Sequence, residues 1–332
     1  MKETKSQSSK KKGRMDIEKG LSFLKESLNT AKFTPFGPKG GGCINEGQGY
    51  LTDAGPIYLK RNRIKESKAL FDGEYESLAK IYATNTVRVP RPIKVIKASD
   101  DEGAFLIIEY LELKSHLKKY ETVLGRNLAN LHNFNTILLA EQAKREGFIG
   151  QKRDDFVIEP AQKFGFSVAT SATPGFSTDN TWCDDWPQFY TRQKLAPLIN
   201  GIIEKKPCKE LTEYWSTLSI KIHSFFNDCS PIKPSLLHGD MWSGNVSELD
   251  TEPVLFDPTS FYGHSEFEFG IAEMFGGFSD AFYDAYHKLS PRSKGFNRRN
   301  QLYQLFHHLN HWFIFGDSYK SSSLSLMKRL CK

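Results

Sequence analysis

Apolar residues recur with two different spacings along this chain, and the change falls near residue 112. Ile17, Leu21, Leu24 and Leu28 lie three or four apart over residues 15–28, the spacing of an amphipathic helix. Short strand-like runs follow around a glycine cluster, GPKGGGCINEGQGY (residues 37–50), with IYLK (residues 57–60) the clearest. Leu70, Phe71, Leu78 and Ile81 fall on or near one face of a helix predicted over residues 67–84. RPIKVIKAS and AFLIIEYL then read as strands around the acidic turn SDDEG, a hairpin pattern. Beyond residue 112 the period is helical: residues 123–134, 186–203 and 211–226, then most of the chain from Glu266 onward. There Phe282, Tyr286, Phe306 and Trp312 take core-like positions. Two short apolar runs, LLHGD and VLFDP, lie between the helical blocks and end in acids.

The expectation is an α+β, bilobal, protein-kinase-like fold: a small β-rich N-lobe over residues 15–111 and a larger, mostly helical C-lobe over 112–332. Charge sharpens the division. Residues 1–14 hold six basic and one acidic side chain, leaving 39 basic against 38 acidic in the other 318 residues. The near-neutral body argues against a nucleic-acid-binding face, and the polar tail is expected to be solvated and disordered. It has no apolar core of a secretory signal, and no stretch approaches 18 consecutive apolar residues, so no membrane partner is expected. Five scattered cysteines, odd in number and without C-x-x-C spacing, indicate neither a disulfide framework nor a zinc site. They suit a cytoplasmic location, with a mitochondrial or nuclear pool left open.

The densest chemistry lies in HGDMWSGN (residues 238–245) and in LFDP around Asp257. Phosphoryl transfer needs an aligned acceptor hydroxyl, a receiver for its proton, and metal to neutralise the phosphates. Asp240 ends an apolar run and is placed as that receiver. Asn245, five residues on, offers a hard oxygen for Mg²⁺, at the interval found in the protein-kinase catalytic loop H-R-D-L-x-x-x-N. Asp257, twelve residues later, is the expected second ligand. HGD alone would also fit a turn with a helix-capping aspartate; the three together specify a phosphotransferase.

The ATP-side groups should lie upstream. Lys60 ends the strand PIYLK and can reach phosphate oxygens, or else faces water at a sheet edge. Its acidic partner is Glu74 or Glu76, which point to different helix faces; the pattern leans to Glu74. IIEYLEL reads as a strand leaving the small lobe, where backbone groups of Glu109 and Leu111 can meet adenine, or as an ordinary core strand plus linker. The glycine cluster lacks the G-K-S/T of a Walker loop and the register of G-x-G-x-x-G. Its place ahead of Lys60 nevertheless suits backbone N–H groups approaching phosphate.

HGDMWSGN, FDPTSFYGHSEFEFGIAEMFGGF, GGGCINEG, YLTDAGPIYLK, VRVPRPIKVI, FGFSVATSATPGFSTDNTWCDDWPQFYTRQKL and LYQLFHHLNHWFIFG together resemble the fructosamine-3-kinase and ketosamine-3-kinase family, over residues 30–332. The resemblance implies a fold like that of aminoglycoside and choline kinases, use of ATP with Mg²⁺, and phosphorylation of the 3-hydroxyl of a ketosamine. It implies Asp240 as proton acceptor, Asn245 and Asp257 as metal ligands, and Lys60 paired with Glu74. Gly41, Gly42 and Cys43 would line the nucleotide loop, and Glu109, Tyr110 and Leu111 the adenine hinge. Trp242 would stack on the ketosamine; His264 and Glu266 would face the same region, or else form a structural turn after Asp257. Substrates would be glycated proteins or small ketosamines. The chain would be a monomer, with a disulfide-linked homodimer through a redox-sensitive Cys43 if that residue is more than a small side chain in a tight turn. Competing readings are a kinase of a free small alcohol or amino sugar, and a non-catalytic nucleotide-binding scaffold.

Overall fold

The computed structural model describes residues 22–41, 45–98, 103–146, 158–171, 178–229 and 231–332. The basic tail, Gly42 and Cys43 lie outside them. The chain divides into two compact units: one holds the residues up to Tyr75 and Arg91–Leu111, the other Glu76–Pro90 and Glu112–Lys332.

The first unit is built on five antiparallel strands: β1 (Thr34–Gly41), β2 (Glu46–Thr52), β3 (Gly55–Asn62), β4 (Pro92–Lys97) and β5 (Ala104–Glu109), in the order β1-β2-β3-β5-β4. Side chains alternate across each strand. Ile57 and Leu59 of β3 therefore join Phe105 and Ile107 of β5, Ile96, and Leu24 of helix α1 (residues 22–27) in one apolar cluster. Tyr58 and Lys60 take the opposite face. Register places Lys60 beside Gly47 of β2 and Leu106 of β5, in the middle of the sheet and not at an edge. Much of the glycine cluster is strand, with Gly40 paired to Gly47. A Cβ on Gly47 would lie 1.9 Å from the Tyr58 hydroxyl, so a bare backbone is required there by a ring as well as suiting a phosphate.

Helix α2 (Ser67–Thr84) follows the sheet strand β3 and carries the boundary between the two units. In the second unit, α3 (Glu121–Glu146) extends well past the predicted residues 123–134. Residues 186–203, predicted as one helix, divide into α4 (Trp186–Phe189), a π-helical turn (Tyr190–Leu195) and α5 (Ala196–Lys205). Ala196 N–H bonds Thr191 O five residues back, and Pro197, lacking an N–H, follows immediately. The extra residue in the turn reorients what comes after Phe189. Helix α6 (Lys209–Lys221) ends in a 3₁₀ turn, Ile222–Phe226. A run of short strands separates it from α7 (Glu268–Phe275), α8 (Asp280–His287), α9 (Phe296–Phe315) and α10 (Lys320–Leu330).

Trp186 centres the interior of this unit. Its indole stacks on Tyr190 and Phe261, and its Nε1–H donates to Tyr303 O–H at 2.9 Å. All of these rings are buried, each contributing about 1.5–3 kcal/mol on burial. Among the described residues no helix is long and apolar enough to cross a membrane, and Cys183, Cys208, Cys229 and Cys331 are free thiols.

Candidate active site

The catalytic segment lies between short paired strands. β6 (Ser235–Leu236) pairs with β9 (Tyr262–Gly263), and β7 (Val246–Glu248) with β8 (Pro253–Leu255). HGDMWSGN joins β6 to β7, and Asp257 follows β8. The two segments are stitched by backbone: Phe256 N–H donates to Asn245 O at 3.1 Å and Thr259 N–H to His238 O at 2.8 Å. The His238 imidazole completes the join, with Nε2 donating to Phe256 O at 3.0 Å and Nδ1 accepting the Asp240 N–H at 3.3 Å. Burial holds its pKa below the usual imidazole value, which keeps it neutral for both roles.

The five-residue interval closes on itself through a 3₁₀ turn, Ser243–Asn245. Asn245 Nδ2 donates to both the carbonyl and the Oδ2 of Asp240, each at 2.8 Å. Its Oδ1 is thereby the atom left to meet a cation. Burial pushes the Asp240 carboxyl up to about 7; the Asn245 hydrogen bond opposes this, and the charges of Asp257 and Glu268 add to it. The Asn245 amide oxygen and the Asp257 carboxylate are both hard oxygen donors, which fit Mg²⁺ better than a soft metal.

Glu268, which the sequence motifs did not single out, holds this loop in place. Fully buried at the start of α7, it accepts the N–H groups of His238 (2.6 Å) and Gly239 (2.9 Å) and contacts His132 at 3.3 Å. Burial raises its carboxyl, but His132, His238 and the backbone donors outweigh that and hold it below the usual range. Gly239 sits at φ +87°, and a Cβ there would meet Thr259 O at 2.3 Å, so only glycine fits. Glu268→Gln keeps the shape but sets an amide N–H₂ against one of these donors. It is expected to cost about 1–3 kcal/mol of stability in denaturant titration and to lower kcat at least tenfold, because the loop loses its anchor.

In the first unit, Lys60 is 7% exposed and its Nζ lies 2.5 Å from Glu74 Oε1. Of the two candidate glutamates, Glu74 makes this pair. The Glu109 N–H donates to Arg91 O at 2.9 Å, so that group is not available to adenine. The Glu109 carboxylate accepts the Arg91 N–H, and the Tyr110 ring packs 4.7 Å from Phe36. Leu111 follows directly, and Gly41 is the last residue of β1.

Trp242 is half-buried, with its ring 5.6 Å from the exposed Phe275. His264 and Glu266 have protein partners of the kind that the structural-turn alternative implies. Glu266 forms a two-point pair with Arg299 (2.6 and 2.9 Å) and accepts Ser293 Oγ–H at 2.6 Å. Arg299 is fully buried, so the carboxylate is consumed in a structural ion pair. His264 Nδ1 lies 2.7 Å from the Tyr303 hydroxyl, extending the chain of hydrogen bonds from Trp186. Burial lowers its pKa to about 4, leaving it neutral.

Comparison with known proteins gives a consistent picture. A family model described as fructosamine kinase matches residues 18–332. A ketosamine-3-kinase of Mus musculus is 44% identical over 93% of this chain and 99% of that protein. A chloroplastic protein-ribulosamine 3-kinase of Oryza sativa subsp. indica is 36% identical over 89% of this chain and 78% of its own length. Among solved structures, a candidate fructosamine-3-kinase from Haemophilus somnus 129PT superposes with TM-score 0.74 at 21% identity, over 93% of this chain and 96% of that one. The fold also matches, with TM-score 0.55 at 11% identity over 94% and 97% of the two chains, an aminoglycoside phosphotransferase solved as a ternary complex with ADP and hygromycin B.

Proposed function

Since the chain belongs to the fructosamine kinase family, we propose that it is an ATP-dependent kinase of protein-bound ketosamines, transferring the γ-phosphoryl group to the 3-hydroxyl of the sugar moiety. The observation that carries this reading is the double hydrogen bond from Asn245 to Asp240, which ties together the two side chains proposed as metal ligand and proton acceptor. The names of the mouse and rice relatives support the acceptor class.

In this reading Asp240 accepts the proton of the 3-hydroxyl as its oxygen attacks phosphorus. Asn245 Oδ1 and the Asp257 carboxylate would hold Mg²⁺, which would supply charge neutralisation on the phosphates. Lys60, oriented by Glu74, pairs with phosphate oxygens; Gly41 and its neighbours cover them; the segment Glu109–Tyr110–Leu111 receives adenine. Trp242 offers its half-buried face to the ketosamine. The phosphate then sits β to the carbon skeleton's enolisable position. Enolisation between C1 and C2 expels it as inorganic phosphate and leaves a C1 imine, which water hydrolyses to release the amine, promoting deglycation. The free thiols among the described residues support a reducing, cytoplasmic setting.

Turnover of ATP should be measured against ribulosamine, psicosamine and fructosamine adducts alongside free amino sugars and choline. Ketosamine-dependent product formation that is abolished by EDTA and restored by Mg²⁺ is expected. Turnover confined to the free alcohols would replace this reading with the small-molecule kinase, and nucleotide binding without any turnover would replace it with the scaffold.

A further inference from the structure

A recess opens beside Asp240 in the second unit, lined among others by Thr170, Thr178, Lys194, Thr259 and His307. The centres of water-sized groups have about 40 Å³ of room in it, enough for hydroxyl-bearing carbons of a sugar to enter.

Two of its lining residues carry buried nitrogens, and the phosphoryl-transfer chemistry uses neither. Lys194 is 1% exposed, yet its only hydrogen bond among the described residues goes to a neutral amide, Asn180 Oδ1, at 2.7 Å. Its Nζ lies 3.9 Å over the Phe261 ring. The frame is fixed from behind: Asn180 Nδ2 donates to Val168 O and to Thr170 Oγ1, both at 2.9 Å, and Thr178 Oγ1 donates to Thr170 O. Lys194 comes from the π-helical turn Tyr190–Leu195, the kind of irregularity that proteins concentrate at functional sites. His307, on α9, is 2% exposed, and its Nε2 has no hydrogen-bond partner among the described residues. An orphaned ring nitrogen and an ammonium with spare donors are costly in an interior unless a ligand satisfies them. Burial draws the Lys194 amine down to about 7, with Asp179 opposing, and keeps His307 neutral, so the pair can both donate and accept at neutral pH.

Resting on the kinase reading, we infer that Lys194 and His307 form the polyol subsite of the acceptor. They would hydrogen-bond the oxygens on the carbons beyond C3 and set how long a sugar tail is accepted. The geometry also orients the substrate. A ketosamine carries a cationic amine at C1 and a neutral polyol on the other side of C3. A buried lysine repels the first and hydrogen-bonds the second, so the tail enters the recess and the amine, with its attached protein, points away.

The test uses the full-length enzyme with ketosamines lacking, one at a time, the hydroxyls at C4, C5 and C6. It compares wild type with Lys194→Met and His307→Leu, with ATP titration as the control for folding. In wild type, at least one deletion should lower kcat/KM tenfold or more, mainly through KM. Either substitution should impose a similar loss on the complete substrate and add nothing on the analogue lacking its hydroxyl partner. The inference is overturned if wild type is indifferent to every deletion, or if the substitutions penalise all analogues equally. The deoxy series on wild type decides the matter even if a variant fails to fold. Wild type inactive on all ketosamines would overturn the kinase reading itself, and this inference with it.

Discussion

Asp240→Asn is expected to lower kcat for ketosamine phosphorylation by on the order of a thousandfold while ATP still binds. The substitution preserves shape, and an amide oxygen can still accept from Asn245 Nδ2, so the loop should keep its closure. What disappears is the capacity to take a proton and one negative charge beside the proposed metal ligands. Removing a positioned general base is worth roughly 10²–10⁴ in rate. The measurement is steady-state phosphate transfer to a ketosamine together with nucleotide affinity by titration. Turnover within threefold of wild type would remove Asp240 from the reaction. A parallel loss of nucleotide affinity and turnover would point to a folding defect.

Arg299→Met should be the most damaging single change for stability, costing about 3–5 kcal/mol in denaturant unfolding. Glu266 lies at 7% exposure against a fully buried Arg299. Burial on its own raises the Glu266 carboxyl; Arg299, His264 and Ser293 outweigh this and hold it below the usual carboxylate range. Without the guanidinium a buried negative charge is left facing one serine hydroxyl and a neutral imidazole. The double variant Glu266→Gln/Arg299→Met should recover at least half the loss, because replacing both members of a buried pair is far milder than removing one. Glu266→Gln with full stability but a much higher ketosamine KM would return Glu266 to the substrate site.

How much of this was legible in the sequence depended on how local each interaction is. Asp240 and Asn245 could be read because a five-residue interval closes through its own 3₁₀ turn. Lys60 and Glu74 could be paired because strand and helix are adjacent in the chain; the same adjacency could not show that Lys60 lies mid-sheet. Glu266 and Glu268 stand two residues apart in GHSEFEF and look equivalent as letters. One meets Arg299 and the other meets the backbone of His238 and Gly239, distinctions made only by packing across 29 to 33 residues. Lys194 and His307 were hidden by apolar neighbours that read as helix core. The available signals were a lysine on a buried stripe and Pro197 inside a predicted helix.

Asp257 adopts φ +58°, a left-handed backbone that aspartate enters more readily than most side chains but less readily than glycine. The residue proposed to hold Mg²⁺ is therefore not the one the local backbone prefers. Glycine at this position would relax the main chain and remove the carboxylate proposed to hold Mg²⁺, so relief of backbone strain would coincide with loss of turnover. Laboratory evolution of this chain for heat tolerance alone would thus be drawn toward an inert product, and a screen for robust variants has to score turnover in every round.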